Sequence, residues 1–543
     1  MRKLGLKLLV LGATIGSAFG VAACGDSAGG KEGGTLTGSY AAFPDYLDPG
    51  LSYLLEGWTA MYDTYIPLLT YAHATGEAGS KVVPGLAKSL PKISNGGKTY
   101  SLTLQKGLKY SDGTPVKASD FTSTVERLFK LNSPGTSFYS DIVGAEEFAE
   151  TKKGGIAGIE TNDATGEIVI NLTKPRGTFV NELGLLFVAL LPSGTPAKDL
   201  TANPPPATGP YVITKAERGR GWSYERNPYW AKANAELVPE VPSGHVNQIE
   251  ISVVRNDSTQ VSNVEQGKTD WMQPPVPSDQ YASIKDKYEG TQFRIDRPIN
   301  VYYFWMNTTE PPFDDLKVRQ AVNYAVDTAA LERIYSGSLA ATHQILPPAM
   351  PGHEEFDLYP HSMAKAEALL EQAKPSDLDI TVWTDNESPN DEAGAYYQDV
   401  LAKLGFNAKL KTINADSYFT VIGNLSTPDL DTGWTAFVQD YPHPSDFFSL
   451  QLLGESIAPI YNTNFAQIDV PALNKKITKL GEEELGPEQE AEYAALDKEF
   501  MEEAPWVPYG NNTLSTFVSS EIELDEIVFN PTFGQDLTSF QFK

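Results

Sequence analysis

A single cysteine, Cys24, is all that this 543-residue chain has for covalent crosslinking. Neither an intrachain disulfide nor a multi-cysteine metal site can form, so every domain must be held by packing alone. The length exceeds what one core supports, and two or three domains are expected at roughly 100–200 residues each. Hydrophobic residues make up 41% and aromatic residues 11%, enough apolar material for several cores and too much for a disordered chain. The formal charge of −28 repels phosphate backbones and anionic surfaces, which argues against nucleic acid as a partner.

The position of Cys24 is informative. Arg2, Lys3 and Lys7 give a basic start, residues 8–23 carry no charge, and the run ends in Val21, Ala22 and Ala23. This is the layout of a secretory signal, too short for the ~20 residues that span a bilayer. The segment resembles the bacterial lipobox, which implies cleavage after residue 23, lipid on the Cys24 sulfur and anchoring at the outer face of the cell membrane. Residues 24–38 are rich in Gly, Ser and Thr without apolar periodicity, and read as a flexible tether. Gly25-Asp26-Ser27-Ala28-Gly29 mimics a nucleophile elbow, but an elbow needs a strand before it and a helix after it. A chymotrypsin-like order also fails, since no histidine precedes Ser27. No complete phosphate-cradling, zinc-protease or EF-hand pattern occurs elsewhere, so no cofactor is expected. His353 and His361 lie near Glu354, Glu355 and Asp357 in a cluster that reads as a solvated loop, and no metal is expected.

Further along, the first half is strand-rich. Lys98–Leu108 alternates polar and apolar residues, Ile156–Leu172 forms two strands about a turn at Asp163–Gly166, and Tyr211–Tyr224 forms a hairpin. Ser119 is placed to cap a helix with Phe121, Val125, Leu128 and Phe129 on one face. The second half changes character. Asp315 caps a helix with Val318, Val322 and Ala325 inside, and Ser362 precedes another. Strand (378–383), helix (391–403) closed by Gly405, and strand (406–413) make a βαβ unit, hence a parallel sheet. An apolar strand at Asp431–Val438 then ends just before Asp440, where ligand crevices form in open α/β sheets. Strand-like sequence returns after Leu514 and is placed to pair back with the first half, making a hinge of at least two crossings.

Several long motifs carry a resemblance. They are Val83-Pro84-Gly85-Leu86-Ala87, Gly107 to Phe121 (GLKYSDGTPVKASDF), Ala207-Thr208-Gly209-Pro210-Tyr211, Arg226-Asn227-Pro228-Tyr229-Trp230, Pro311 to Val322 (PPFDDLKVRQAV) and Gln439-Asp440-Tyr441-Pro442-His443-Pro444. In this order they resemble the extracytoplasmic solute-binding proteins of ABC importers, family 5, the oligopeptide- and dipeptide-binding group. The resemblance implies an α/β fold of two lobes, the periplasmic-binding-protein type of class II with an extra subdomain. Its expected parts are a first lobe from 39–58, 195–272 and 509–543, an extra subdomain at 59–194, and a second lobe at 273–508. It also implies a monomeric receptor, not an enzyme, that hands a peptide or other small solute to an ABC permease and ATPase complex.

In peptide-binding relatives the Asp before Tyr in this motif takes the ligand's ammonium, which falls here on Asp440 beside Tyr441. A carboxylate enclosed in a closed cleft is costly unless paired, and a ligand cation can supply the pair. Peptide binders commonly carry Trp three residues earlier, whereas this chain has Phe437 there and Trp434 three residues before that. Tyr53 and Leu55 fall in the loop where relatives hydrogen-bond the ligand backbone, and Tyr509 falls near the second hinge crossing. A non-peptide solute in the same fold remains open, and a surface hydrolase is a remote alternative.

Overall fold

The structure is a computed structural model describing residues 31–543; Cys24, the signal-like segment and Ser27 lie outside the described residues. Two large sheets organise the chain. In the seven-stranded sheet, Thr35–Tyr40 lies between the parallel strands Gln248–Val253 and Trp271–Met272. Gly221–Arg226 and Tyr211–Glu217 extend one side, and Leu514–Val518 and Phe293–Asp296 the other. The six-stranded sheet centres on Asn300–Met306, antiparallel to both Thr432–Val438 and Trp506–Asn512. The βαβ unit expected from the sequence is present: Asp379–Asp385 pairs parallel with Asn407–Ile413 and with Thr432–Val438. Its connecting helix, Asn390–Lys403, ends against Gly405 at φ +98, the left-handed conformation that glycine adopts without strain.

Separate cores underlie the two sheets, one around Tyr65, Tyr211 and Trp271 and the other around Trp305, Val382 and Trp506. Within the first lobe a four-stranded sheet, Lys92–Ser94, Thr99–Thr103, Glu167–Asn171 and Ile159–Asn162, packs with the helix Ala118–Leu131. The chain crosses between lobes from Asp296 to Asn300 and from Asn512 to Leu514. Asn300 staples the crossings together: its side-chain amide donates to Asn512 O at 2.9 Å and accepts from Asn512 N at 2.7 Å.

Three expectations are corrected. Thr35–Tyr40 is a central strand, so the tether reading of 24–38 runs too far: pairing on both sides overrides a coil-like composition. Phe293–Asp296, assigned from sequence to the second lobe, pairs with Leu514–Val518 in the first sheet, because Phe293 buries against Met272 and Phe517. At the helix over 118–131 the cap is Lys117, whose N–H donates to Asp120 at 2.9 Å, while Ser119 bonds Asp163 at 3.0 Å. A carboxylate at the third helical position reaches back better than a hydroxyl already inside the first turn.

The buried Gly38 shows why the strand tolerates so little side chain. A Cβ there would lie 2.6 Å from Ile251 Cδ1 and 2.9 Å from Trp271 Cε3. Gly38→Val is therefore expected to lower the stability of the first lobe by ~1–3 kcal/mol, read as a reduced urea midpoint with unchanged slope.

Candidate functional site

The strand Thr432–Val438 ends in a loop that carries Gln439, Asp440 and Tyr441 across to the first lobe. Asp440 Oδ1 accepts a hydrogen bond from the Tyr53 hydroxyl at 2.7 Å, a contact between residues 387 apart in sequence. Tyr441, 7% exposed, is packed into the first lobe's core and meets Phe138 edge-on at 6.2 Å. The Gln439 amide donates to Thr532 Oγ1 at 3.2 Å. Three consecutive residues of the second lobe thus contact the first lobe, and Gly177 N donates to Gly481 O at 2.9 Å elsewhere between the lobes.

The first-lobe face is fixed from behind. Asp45 accepts from Ser52 Oγ at 2.7 Å and from Tyr53 N at 2.8 Å. Upstream, the buried Asp48 takes both arms of Arg127 at 2.9 and 2.6 Å and accepts Gly50 N at 3.0 Å. Arg127 sits on the helix Ala118–Leu131, so a bidentate pair ties the extra subdomain to the loop that presents Tyr53. Trp58, Phe138 and Phe187 surround the Tyr53 ring at 6.1, 6.4 and 5.7 Å. Leu55 begins the helix Leu55–Met61 and is half-buried; Tyr53 and Leu54 stay 40% and 54% exposed.

The second-lobe face has its own support. Asp446, fully buried at the start of the helix Ser445–Gln451, accepts Asp440 N at 2.7 Å. His443 is buried and neutral: burial lowers its pKa to about 3, and its Nδ1 accepts from Ser445 N at 3.1 Å. Burial pushes the Asp440 carboxyl up to about 6, with the Tyr53 hydrogen bond pulling the other way. Asp446 is raised well above the usual range by burial and then by the charge of Asp440. Among the described residues no lysine, arginine or histidine pairs with either carboxylate. Pro442, two residues past Asp440, lies in the wall of a cavity of about 590 Å³ between the lobes, along with Val82, Asn181, Met350 and Leu485.

The sequence-predicted residues divide. Asp440, Tyr441 and Tyr53 are brought together across the cleft. Phe437 is half-buried three residues away and packs edge-on to Phe447 at 4.9 Å. Trp434, 4% exposed, is instead a core residue between Tyr302 and Tyr418 at 6.0 and 5.8 Å. Tyr509 is fully buried in the second lobe, its hydroxyl 3.1 Å from that of Tyr335, because the strand Trp506–Asn512 is interior to its sheet. Sequence reasoning missed Asp446 and Gln439; the first has a signal in its carboxylate six residues after Asp440, while nothing in the sequence marks the reach of Gln439 to Thr532.

Comparison with known proteins identifies the kin of this architecture. The family model for bacterial extracellular solute-binding proteins, family 5, matches residues 81–458. A heme-binding protein A of Haemophilus influenzae is 27% identical over 470 residues, covering 80% of each chain. A dipeptide-binding protein of Escherichia coli is 27% identical over 402 residues, covering 68% of this chain and 70% of its own. Among solved structures, a clavulanic acid biosynthesis oligopeptide binding protein superposes with a TM-score of 0.85 at 24% identity, over 94% of this chain and 96% of its own.

Asp440 also has a stability consequence. Its folded pKa lies above the ordinary carboxylate value of 3.8, so the folded state binds more protons between those values and stability falls as pH rises through about 6. The ligand-free protein is expected to be more stable toward urea at pH 5 than at pH 7, and Asp440→Asn to reduce that difference.

Proposed function

The chain belongs to the bacterial extracellular solute-binding proteins of family 5, and from that premise we propose that it is a receptor for short peptides, held between the lobes by an amino-terminal ammonium on Asp440. One observation carries the reading: a half-buried carboxylate at the seam between the lobes receives a hydroxyl from Tyr53 and, among the described residues, no cation. An ammonium is the group that completes such a site, through a charge-assisted hydrogen bond. Tyr53 and Leu54 stay exposed in the loop beside this carboxylate, where an extended ligand would lie. The names of the dipeptide- and oligopeptide-binding relatives support the same ligand class.

The guest leaves unchanged, and the filled, closed receptor passes it to an ABC permease and ATPase complex. Cys24, by its lipobox-like setting, anchors a monomeric receptor to the outer face of the membrane. No helix among the described residues is long and apolar enough to cross a membrane.

The test is calorimetry of ligand-stripped protein against matched tripeptides with free and acetylated amino termini. Free peptides are expected to bind roughly a hundredfold more tightly, equivalent to ~3 kcal/mol, and Asp440→Asn to abolish the difference. Affinity for free peptides should fall below about pH 6 as Asp440 takes up a proton. Equal binding of blocked and free peptides would remove the ammonium role. Hemin, named for one relative, serves as a competitor: tight hemin binding without peptide binding would transfer the site to another solute.

A further inference from the structure

A second group of ionisable residues lies in the first lobe, away from the cleft residues described above. Asp63 follows the helix Leu55–Met61, His73 follows the strand Leu69–Tyr71, and Asp536 belongs to the carboxyl-terminal segment. Their side chains are 1%, 2% and 0% exposed. His73 Nδ1 lies 2.6 Å from Asp536 Oδ2 and 3.7 Å from Asp63 Oδ1, and one donor atom from each residue falls within 4.8 Å of the others. Each carboxylate commits its second oxygen to backbone: Asp63 Oδ2 accepts Leu537 N at 2.8 Å, and Asp536 Oδ1 accepts Thr538 N at 2.8 Å. The remaining oxygens therefore face the imidazole. The ring is held in orientation by stacking on Tyr62 at 4.4 Å, and Tyr62 in turn stacks on Phe533 at 4.3 Å.

Hydrogen bonding alone leaves this group incomplete, for Asp63 Oδ1 has no hydrogen-bond partner. Two buried carboxylates against one imidazole also leave excess negative charge, and among the described residues no lysine or arginine pairs with either. A bound cation would balance this group and give Asp63 Oδ1 a partner.

We propose that Asp63, His73 and Asp536 form a binding site for one divalent transition-metal ion, zinc foremost, which ties the carboxyl-terminal segment to the first lobe. One imidazole nitrogen and two carboxylate oxygens are a donor set that zinc accepts at ~2.0–2.2 Å. The 3.7 Å separation is close to what a tetrahedral ion spans, while the 2.6 Å hydrogen-bonded pair would open by roughly 0.7 Å to admit it. Calcium and magnesium demand six or more oxygen ligands and are excluded by the imidazole and the small donor count. The ion would join three segments behind Trp58 and Phe533, which contact at 5.8 Å, and so brace the helix that follows Tyr53. The competing occupant is a proton shared by the carboxylates.

The test uses untagged protein carrying Cys24→Ser, which removes the one thiol, after treatment with a chelator. Titration with Zn²⁺, Co²⁺ and Mg²⁺ is read by calorimetry, by thermal unfolding and, for Co²⁺, by the visible absorption of a low-coordinate ion. Expected are one Zn²⁺ per chain, a raised unfolding temperature, a Co²⁺ spectrum and no response to Mg²⁺. Asp63→Asn and His73→Gln should each weaken Zn²⁺ binding at least tenfold. Should either variant misfold, the Co²⁺ spectrum of the parent protein and its displacement by Zn²⁺ decide the matter. Absence of saturable Zn²⁺ or Co²⁺ binding would assign the position to a proton, and undiminished binding in both folded variants would place the ion elsewhere; each result overturns the proposal.

Discussion

A half-buried carboxylate at the seam between the lobes, without a countercharge from the described residues, is the constraint around which the site is arranged. Removing an ionised Asp440 from water is unfavourable unless something positive meets it, and the Tyr53 hydroxyl offsets only part of that. On the proposed reading, the same group that disfavours an empty closed state would favour a filled one. A ligand shifts a conformational equilibrium only by binding one state better than the other. An uncompensated charge at the seam supplies such a difference, because it is enclosed only when the lobes meet.

For this to work, both faces must hold their geometry when apart. The second-lobe face is a strand end, with Asp446 holding the Asp440 backbone and a neutral His443 ordering the turn through Ser445. The first-lobe face is a loop, which is harder to hold, and its anchors are correspondingly heavier. A buried bidentate pair, Asp48 with Arg127, ties it to the extra subdomain, and Asp45 fixes the Tyr53 backbone. Loss of either partner of the Asp48–Arg127 pair would leave a buried charge alone, a far larger penalty than loss of a surface pair.

How much of this the sequence disclosed follows from the range of the forces involved. The βαβ unit, the Asp315 and Ser362 caps and the strand before Asp440 rest on local periodicity and were legible in it. Thr35–Tyr40 was hidden, because it continues from a glycine-rich stretch that looks like linker, and only the neighbouring Ile251 and Trp271 explain why Gly38 must be small. Phe293–Asp296 was misassigned because its partner lies more than 200 residues later. At the site, motif resemblance led to Asp440 and Tyr53. It could not show that Trp434 and Tyr509 face their own lobe's core, since strand alternation names two faces without saying which meets the cleft. Asp63, His73 and Asp536 are separated by 463 residues between the last two, and only the fold brings them together.

The size of the conformational preference sets a further demand on the guest. Moving a two-state equilibrium from 1:99 to 99:1 takes about 5.5 kcal/mol of differential binding, while pairing one buried charge contributes ~2–5 kcal/mol when judged by truncation, much of which is relief of the lone charge. The ammonium by itself therefore falls short. On the proposed reading the body of the ligand would touch both lobes, and the cavity of about 590 Å³ beside Pro442 offers both: Val82, Gly177 and Asn181 line it from one side, Met350, Pro442 and Leu485 from the other. A guest resting on one wall gains the same contacts whether the lobes are open or shut, so it has no leverage on closure. Selectivity on the proposed reading would reside in reach, since a molecule held at Asp440 would have to extend past Pro442 to draw binding energy from both walls of the cavity.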